Sequence, residues 1–156
     1  MKKLLSAAVL GALAASVTLT ASAQSTEDMI KFRQSTFSFM NWNMGKIKAQ
    51  AVDGSVPFDQ QQVAAAAGAI AAAANAGLSG LFPQGSDQGS GWKPTRLKSS
   101  FFDEPDKVRE IAMSFIQEAN KLQEVAANGD RSAIASQFGE VGRTCKACHD
   151  NYRAPE

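Results

Sequence analysis

Apolar side chains recur along most of this chain with the period of an α-helix. Near its start, Phe37, Met40, Met44 and Ile47 are separated by three, four and three residues, which places them along one face of a helix. No segment alternates apolar β-branched residues with polar ones over the length of a strand, so β-strands are not expected. The pattern predicts an all-α protein.

Capping and helix-breaking residues give the bounds of the predicted helices. Thr26 offers a capping hydroxyl, Asp59 and Asp130 are good N-caps, and Pro105 suits the first turn of a helix. These signals predict four helices, at residues 26–52, 59–77, 103–128 and from 130 to a point before Pro155. Segment 78–100 is rich in Gly, Pro and Ser without a period, which is typical of a loop. Four amphipathic helices most simply form an antiparallel four-helix bundle whose facing side chains line an internal site.

The first 23 residues have the composition of an export signal. Met1-Lys2-Lys3 is a short basic start, residues 4–20 are mostly apolar, and Ala21-Ser22-Ala23 matches a small-residue cleavage site. Removal of this signal peptide, residues 1–23, would leave one domain, residues 24–156. Because no second long apolar stretch follows, we expect an exported protein without a membrane anchor.

The charge balance gives no indication of a polyanionic partner. The whole chain carries 16 basic and 15 acidic residues, and removal of Lys2 and Lys3 with the signal peptide leaves 14 basic residues and a formal charge of −1. The mature sequence contains no run of basic residues. Binding to nucleic acid or to an anionic membrane surface is therefore not expected.

The residues with distinctive chemistry lie together near the C-terminus, in Cys145-Lys146-Ala147-Cys148-His149. This pentapeptide holds both cysteines and the one histidine of the chain. Cys-x-x-Cys-His is the attachment motif of c-type haem, in which two thioethers hold the porphyrin and the imidazole is an axial ligand. A redox Cys-x-x-Cys would be expected beside a βαβ pattern, and a structural zinc site needs four ligands. The motif and the export signal together predict one covalent haem and a location in the bacterial periplasm.

Arg33 stands on the same predicted helix face as Phe37 and Met40, four residues before Phe37. An uncompensated guanidinium on a buried face is unfavourable. A haem propionate at the edge of the pocket would supply the missing negative charge.

Three segments resemble the cytochrome c′ family, the class II c-type cytochromes. They are the C-terminal segment 141–153 (VGRTCKACHDNYR), residues 32–35 (FRQS) and residues 57–59 (PFD). The family's loop before the third helix often contains Pro-Glu-Ile-Trp, where this chain has Pro94-Thr95-Arg96-Leu97. Thr95 is the residue of that loop that we expect to contact the haem.

The resemblance implies a five-coordinate haem with His149 as the proximal ligand. It places Phe37 on the distal face, Arg33 and Gln34 beside the propionates, and Arg153 along the proximal pocket. Gln34 could otherwise be a surface residue of its helix, and Arg153 a solvated arginine near the C-terminus. A low-spin carrier of the c-556 type, with Met40 or Met44 as sixth ligand, is the alternative.

Two functions follow from this resemblance, the binding of diatomic gases such as nitric oxide or carbon monoxide, and one-electron transfer to an unidentified periplasmic partner. An enzyme is not expected, because the chain lacks a distal histidine and an acid–base group placed to cleave a peroxide bond.

Phe32, Phe39 and Trp42 fall on the helix face roughly opposite Phe37. Three large aromatic side chains are rarely left together in water. They indicate either burial of this helix on two sides within its own bundle or a homodimer formed through the first helix.

Overall fold

The computed structural model describes residues 24–155, so the predicted signal peptide lies outside the described residues. Within this range the helices are α1 (Thr26–Ile47), α2 (Gln60–Asn75), α3 (Ser100–Asp103), α4 (Pro105–Asn128) and α5 (Arg131–Tyr152). Helix α2 packs against α1 and α4, and α4 packs against α5. Between residues 24 and 155 the only β-pairing consists of two isolated bridges, Ser90 with Pro94 and Leu97 with Arg153. The predicted all-α, antiparallel four-helix bundle is confirmed.

Local capping residues account for most helix ends. The carboxylates of Asp59 and Asp130 accept backbone N–H groups in the first turns of α2 and α5, as predicted. At α1 the cap is the hydroxyl of Ser25, one residue earlier than the predicted Thr26. Helix α4 ends at Gly129, whose φ of 76° is the left-handed conformation that glycine adopts readily.

The chain departs from the predicted helices in two places. The first predicted helix continues to Val52, but its last part, Lys48–Val52, is a π-helical turn. The third predicted helix begins at Pro105 instead of Asp103, because Pro105 disfavours helical backbone at Glu104, and a short helix, α3, precedes it. Residues 78–99 are mostly irregular, as predicted, apart from a 3₁₀ turn at Leu78–Leu81.

The apolar core lies in the half of the bundle that contains the α4–α5 connection. Its fully buried large side chains are Ile47, Val63, Ile70, Leu122, Ile134 and Val141. The alanines of α2 facing this core, such as Ala67 and Ala74, are also buried, and their small side chains let the neighbouring helices approach closely. No helix in residues 24–155 is long and apolar enough to cross a membrane.

Candidate cofactor site

The last two turns of α5 carry the attachment motif. Cys145 and Cys148 are free thiols, both partly buried, and their spacing of three residues places them on one face of the helix. Burial raises the pKa of both thiols, with the neighbouring Cys145 adding to the effect on Cys148. The pair therefore consists of neutral thiols one helical turn apart, which suits attachment to the two vinyl groups of one porphyrin.

His149 follows directly, and its imidazole is exposed at the end of α5. Partial burial lowers the pKa of His149, and the positive charges of Arg153 and Arg96 lower it further, against the opposing effect of Asp150. The neutral imidazole is the form that ligates a metal. Within residues 24–155 its ring nitrogens have no hydrogen-bond partner, so a ring nitrogen is free to ligate.

The donor set fits a haem rather than a metal held by protein ligands alone. In the described part of the chain, no three His, Cys, Asp or Glu side chains converge as metal ligands. One imidazole beside two thiols on the same helix end is instead the donor set of a covalently held porphyrin.

Phe37 lies on α1 with 38% of its surface exposed. Its ring meets that of Phe82 edge to face, with 6.3 Å between the centroids. The two methionines of the alternative interpretation lie deeper, because Met40 is 6% exposed and Met44 packs against the apolar core. Phe37 is thus the most accessible of these three side chains.

An aromatic cluster that the sequence analysis did not identify joins α1 to α5. Phe82 stacks on Phe101 at a centroid distance of 4.8 Å, and Phe101 meets the edge of Tyr152 at 5.5 Å. The Tyr152 hydroxyl donates to Glu104 Oε2 at 2.6 Å. The available signal was weak, since Phe82 and Phe101 are only two large apolar residues at the ends of a Gly- and Ser-rich loop.

Arg33 is 6% exposed. Its guanidinium donates to Leu81 O at 3.2 Å, to Ser86 Oγ and O at 2.9 and 2.8 Å, and to Thr95 Oγ1 at 2.9 Å. It also lies over the Phe82 ring, 4.7 Å from the centroid. Each of these partners is neutral, and burial lowers the pKa of Arg33. Arg33 has no carboxylate partner within residues 24–155, so its positive charge is held there by neutral groups alone.

Thr95 is the centre of this hydrogen-bonded group, which we call the loop clasp (Arg33, Ser86 and Thr95). Besides accepting from Arg33, its hydroxyl donates to Ser86 O at 3.1 Å and accepts from Leu97 N at 3.3 Å. The clasp ties the loop to α1. Ser86 is fully buried, and its position in a Gly- and Ser-rich stretch gave no signal of this role.

Gln34 holds the same loop at a second point. Its Nε2 donates to Lys93 O at 2.9 Å, and its Oε1 accepts from Trp92 N at 2.8 Å and Lys93 N at 3.3 Å. Gly91 lies so close to α1 that an added Cβ would be 2.8 Å from Lys31 N and 3.0 Å from the carbonyl carbon of Ile30. In this structure, therefore, Gln34 holds the loop by hydrogen bonds to its backbone.

Arg153 lies just after α5, and its backbone N–H donates to His149 O at 3.0 Å. With His149 it lines an open cleft of about 340 Å³. Arg96 and Lys98 line the same cleft and were not predicted as site residues. The only sequence signal for Arg96 was its place in the loop segment 94–97, which departs from the family pattern.

The predicted residues come together at one end of the bundle, where α1 begins and α5 ends. Arg33, Gln34 and Thr95 join α1 to the loop, and backbone pairing of Leu97 with Arg153 joins the loop to the end of α5. The aromatic cluster completes the connection from Phe37 to the motif helix.

Comparisons with known proteins agree with this arrangement. The family model described as "Cytochrome C′" matches residues 28–153. The cytochrome c′ of Rhodocyclus tenuis is 48% identical over 128 residues, which is 82% of this chain and 95% of the relative.

Solved structures give the same result. A cytochrome c′ described as having an unusual ligand-controlled dimer dissociation superposes with a TM-score of 0.80 at 44% identity, covering 85% of this chain and 99% of that one. A carbon monoxide-bound variant of cytochrome c′ from Alcaligenes xylosoxidans superposes with a TM-score of 0.74 at 27% identity, covering 84% of this chain and 98% of that one.

Proposed function

The chain belongs to the cytochrome c′ family and is a c-type haem protein, and we propose that its haem iron binds diatomic gases and exchanges single electrons in the periplasm. The observation that carries this proposal is the exposed imidazole of His149, without a hydrogen-bond partner in residues 24–155, at the end of the bundle where the aromatic cluster links Phe37 to the motif helix. The carbon monoxide-bound relative supports a gas as the ligand.

Four of the predicted site residues would hold the cofactor. Cys145 and Cys148 would hold the porphyrin through thioethers, and His149 would ligate the iron from the proximal side. Bound there, the haem supplies an iron atom that can take up an electron or a small ligand. Arg33 would face a propionate, since it is buried with neutral partners only.

We propose that the iron is five-coordinate. Phenylalanine cannot ligate iron, and the Phe37 ring would limit the size of any ligand that approaches from its side. To reach the metal, Met40 would have to leave a buried position and Met44 its packing against the apolar core, which disfavours the low-spin alternative. The chain's one histidine belongs to the motif, so no distal imidazole is present for peroxide chemistry, and binding and transfer are favoured over an enzymatic role.

Mass and absorption spectra test the cofactor and its attachment. In a host that matures c-type cytochromes, the denatured protein should have the mass of residues 24–156 plus one haem, which also tests cleavage after Ala23. Cys145→Ala alone should lose one thioether, and Cys145→Ala with Cys148→Ala should give apoprotein. A bare polypeptide from the unaltered chain would disprove the proposal.

Spectra and ligand kinetics then test the coordination. The ferrous protein should be high-spin and should bind carbon monoxide, with faster association in Phe37→Ala because a ring leaves the route to the iron. Met40→Ala and Met44→Ala are the matched controls and should leave the spin state unchanged. A low-spin spectrum that either methionine change abolishes would establish the six-coordinate alternative.

We also propose that the protein forms a homodimer through α1. Trp42 is 58% exposed, and Phe32 and Phe39 are exposed beside it, which argues against burial of this face within its own bundle. Trp92 extends the same surface, since its Nε1 donates to Ser35 Oγ at 2.8 Å. The ligand-controlled dimer of the relative supports a dimer here.

Sedimentation equilibrium measures this assembly. The unaltered protein should have twice the monomer mass, and Trp42→Glu should shift it toward monomer with the haem spectrum retained. Met113→Glu is the matched control, because Met113 is as exposed, at 59%, but lies on α4. A monomer at high protein concentration would rule out the dimer.

A further inference from the structure

The cleft beside His149 has a wall of basic side chains. It has a volume of about 340 Å³ and is lined by Arg96, Lys98, His149, Asp150 and Arg153, with residues 154–155 at its edge. It opens to solvent at the end of the bundle where α5 ends.

The charge of this cleft is positive although the mature chain is slightly acidic overall. Among residues 24–155, three cationic side chains line it, and the one carboxylate among those lining residues, Asp150, is paired with Lys146 on α5. Within residues 24–155, Lys98 and Arg153 form no ion pair. The positive charge is therefore a local feature of this end of the bundle.

Backbone pairing holds two of these cations in place. Lys98 N donates to Tyr152 O at 2.9 Å, and Ala154 N donates to Arg96 O at 2.8 Å. The Lys98 ammonium donates to Asp150 O at 3.2 Å and to Asn151 O at 3.1 Å, and Arg96 Nε donates to Ala154 O at 2.8 Å. Side chains that are already ordered lose little further entropy when a partner binds.

These same bonds would also explain Arg96 and Lys98 as supports for the C-terminal segment. Arg153 distinguishes the two explanations. Its guanidinium is exposed and makes no hydrogen bond within residues 24–155, so the fold of this part does not require its charge.

We propose that this cationic cleft is the docking surface for an acidic redox protein that exchanges electrons with the haem. The inference rests on the proposed function, since it requires a haem ligated by His149. A partner seated here would lie against the axial ligand, and charge complementarity would speed its association. A small inorganic anion is less favoured, because Arg96 and Lys98 direct several of their donors at backbone carbonyls and so contribute charge rather than converging hydrogen bonds.

The electron transfer step is simple. One electron leaves the reduced redox centre of the acidic partner, which is oxidised, and reduces the ferric haem to the ferrous state. No bond forms or breaks.

Stopped-flow reduction of the ferric holoprotein tests the proposal, with a reduced acidic plant-type [2Fe–2S] ferredoxin as the probe. The rate is divided by the rate of reduction by photogenerated lumiflavin radical, which is uncharged. This ratio cancels changes in the haem itself. At low ionic strength Arg153→Glu should lower the ratio about tenfold, and Arg153→Gln about threefold, and both effects should vanish in high salt.

Lys121→Glu is the matched control, because Lys121 is exposed on α4 and far from the cleft. It lies about 24 Å along the helix axis from Pro105, and Pro105 is at the cleft end of α4, where Glu104 accepts from Tyr152. Its ratio should change less than about twofold.

Equal effects of Lys121→Glu and Arg153→Glu would show that only net charge matters, and no effect of either Arg153 variant would overturn the proposal. Suppression by inorganic phosphate at constant ionic strength would reassign the cleft to a small anion. Failure of lumiflavin radical to reduce the protein would instead show that the proposed haem function is wrong.

Discussion

The two ends of the bundle are built by different physical means. At the end containing the α4–α5 connection, Ile47, Val63 and Leu122 form a fully buried apolar cluster, and the buried polar residues Gln50 and Gln137 lie in the same half of the bundle. At the opposite end, Arg33 and Ser86 are buried polar groups, and large aromatic side chains remain partly exposed. We call the first the closed end of the bundle and the second its cofactor end.

The difference shows what a cofactor site requires of a helical bundle. Apolar packing is non-directional and closes every available space, so it would tend to fill a pocket for a flat cofactor. Hydrogen bonds are directional and can hold a loop at a fixed place without filling the space beside it. The loop clasp and Gln34 therefore position the loop, and we expect the other end to supply most of the stability.

Leu122→Ala should give the largest change, at the closed end. Leu122 is fully buried in the core, so the free energy of unfolding should fall by about 2–5 kcal/mol. Urea unfolding followed by far-ultraviolet circular dichroism measures it, and the haem spectrum of the folded protein should not change. A loss below about 1 kcal/mol would mean that this end does not carry the stability.

Arg33→Leu should have a smaller effect, at the cofactor end. The change leaves Leu81 O and Ser86 O without the guanidinium donors, which should lower the free energy of unfolding by about 1–3 kcal/mol and alter the haem reduction potential. Arg109→Leu is the control, since Arg109 is exposed and its one ion pair within residues 24–155 is with Asp106 on its own helix. Identical stability of the Arg33 and Arg109 variants would show that the clasp contributes nothing.

Substitutions of two glycines should change the stability less, and in opposite directions. Gly91→Ala should destabilise the protein, because the new methyl group would collide with the backbone of Lys31 and Ile30. Gly139→Ala, on the exposed face of α5 with no atom near its added Cβ, should stabilise it by about 0.5–1 kcal/mol through better helix propensity. Opposite signs in urea unfolding are expected, and a stabilising Gly91→Ala would show that the loop does not lie against α1.

The remaining comparison concerns pH. Burial, followed by the hydrogen bond to Glu104, raises the pKa of Tyr152 to about 12, above its usual value near 10 in an unfolded chain. The folded state therefore holds this proton more tightly. The resulting stabilisation is complete below about pH 10 and is lost as the pH rises toward 12.

Phenolate absorbance reports this directly, because the chain contains one tyrosine. It should appear near pH 12 in the folded protein and near pH 10 in urea. Between pH 10 and pH 12, the free energy of unfolding should fall less in Tyr152→Phe than in the unaltered protein. Titration near pH 10 in the folded state would contradict the structure.

Local sequence signals predicted most of the fold and part of the site. Asp59, Pro105 and Asp130 mark helix starts through contacts with residues next to them in the chain, so they could be read without a structure. The spacing of Cys145 and Cys148 within one turn is equally local. Family resemblance added Phe37 and Arg153, which the structure brings to the same end of the bundle.

The sequence by itself determined that the protein is an all-α bundle with a haem attachment motif on its last helix, because helix periodicity, caps and the Cys-x-x-Cys-His spacing act over a few residues. Only the tertiary structure decided the partners of Arg33 and Gln34 and the cationic wall made by Arg96 and Lys98. Those contacts join residues 48 or more positions apart in the chain. They depend on where an irregular loop crosses α1 and α5, and a loop without a period carries no pattern that specifies its path.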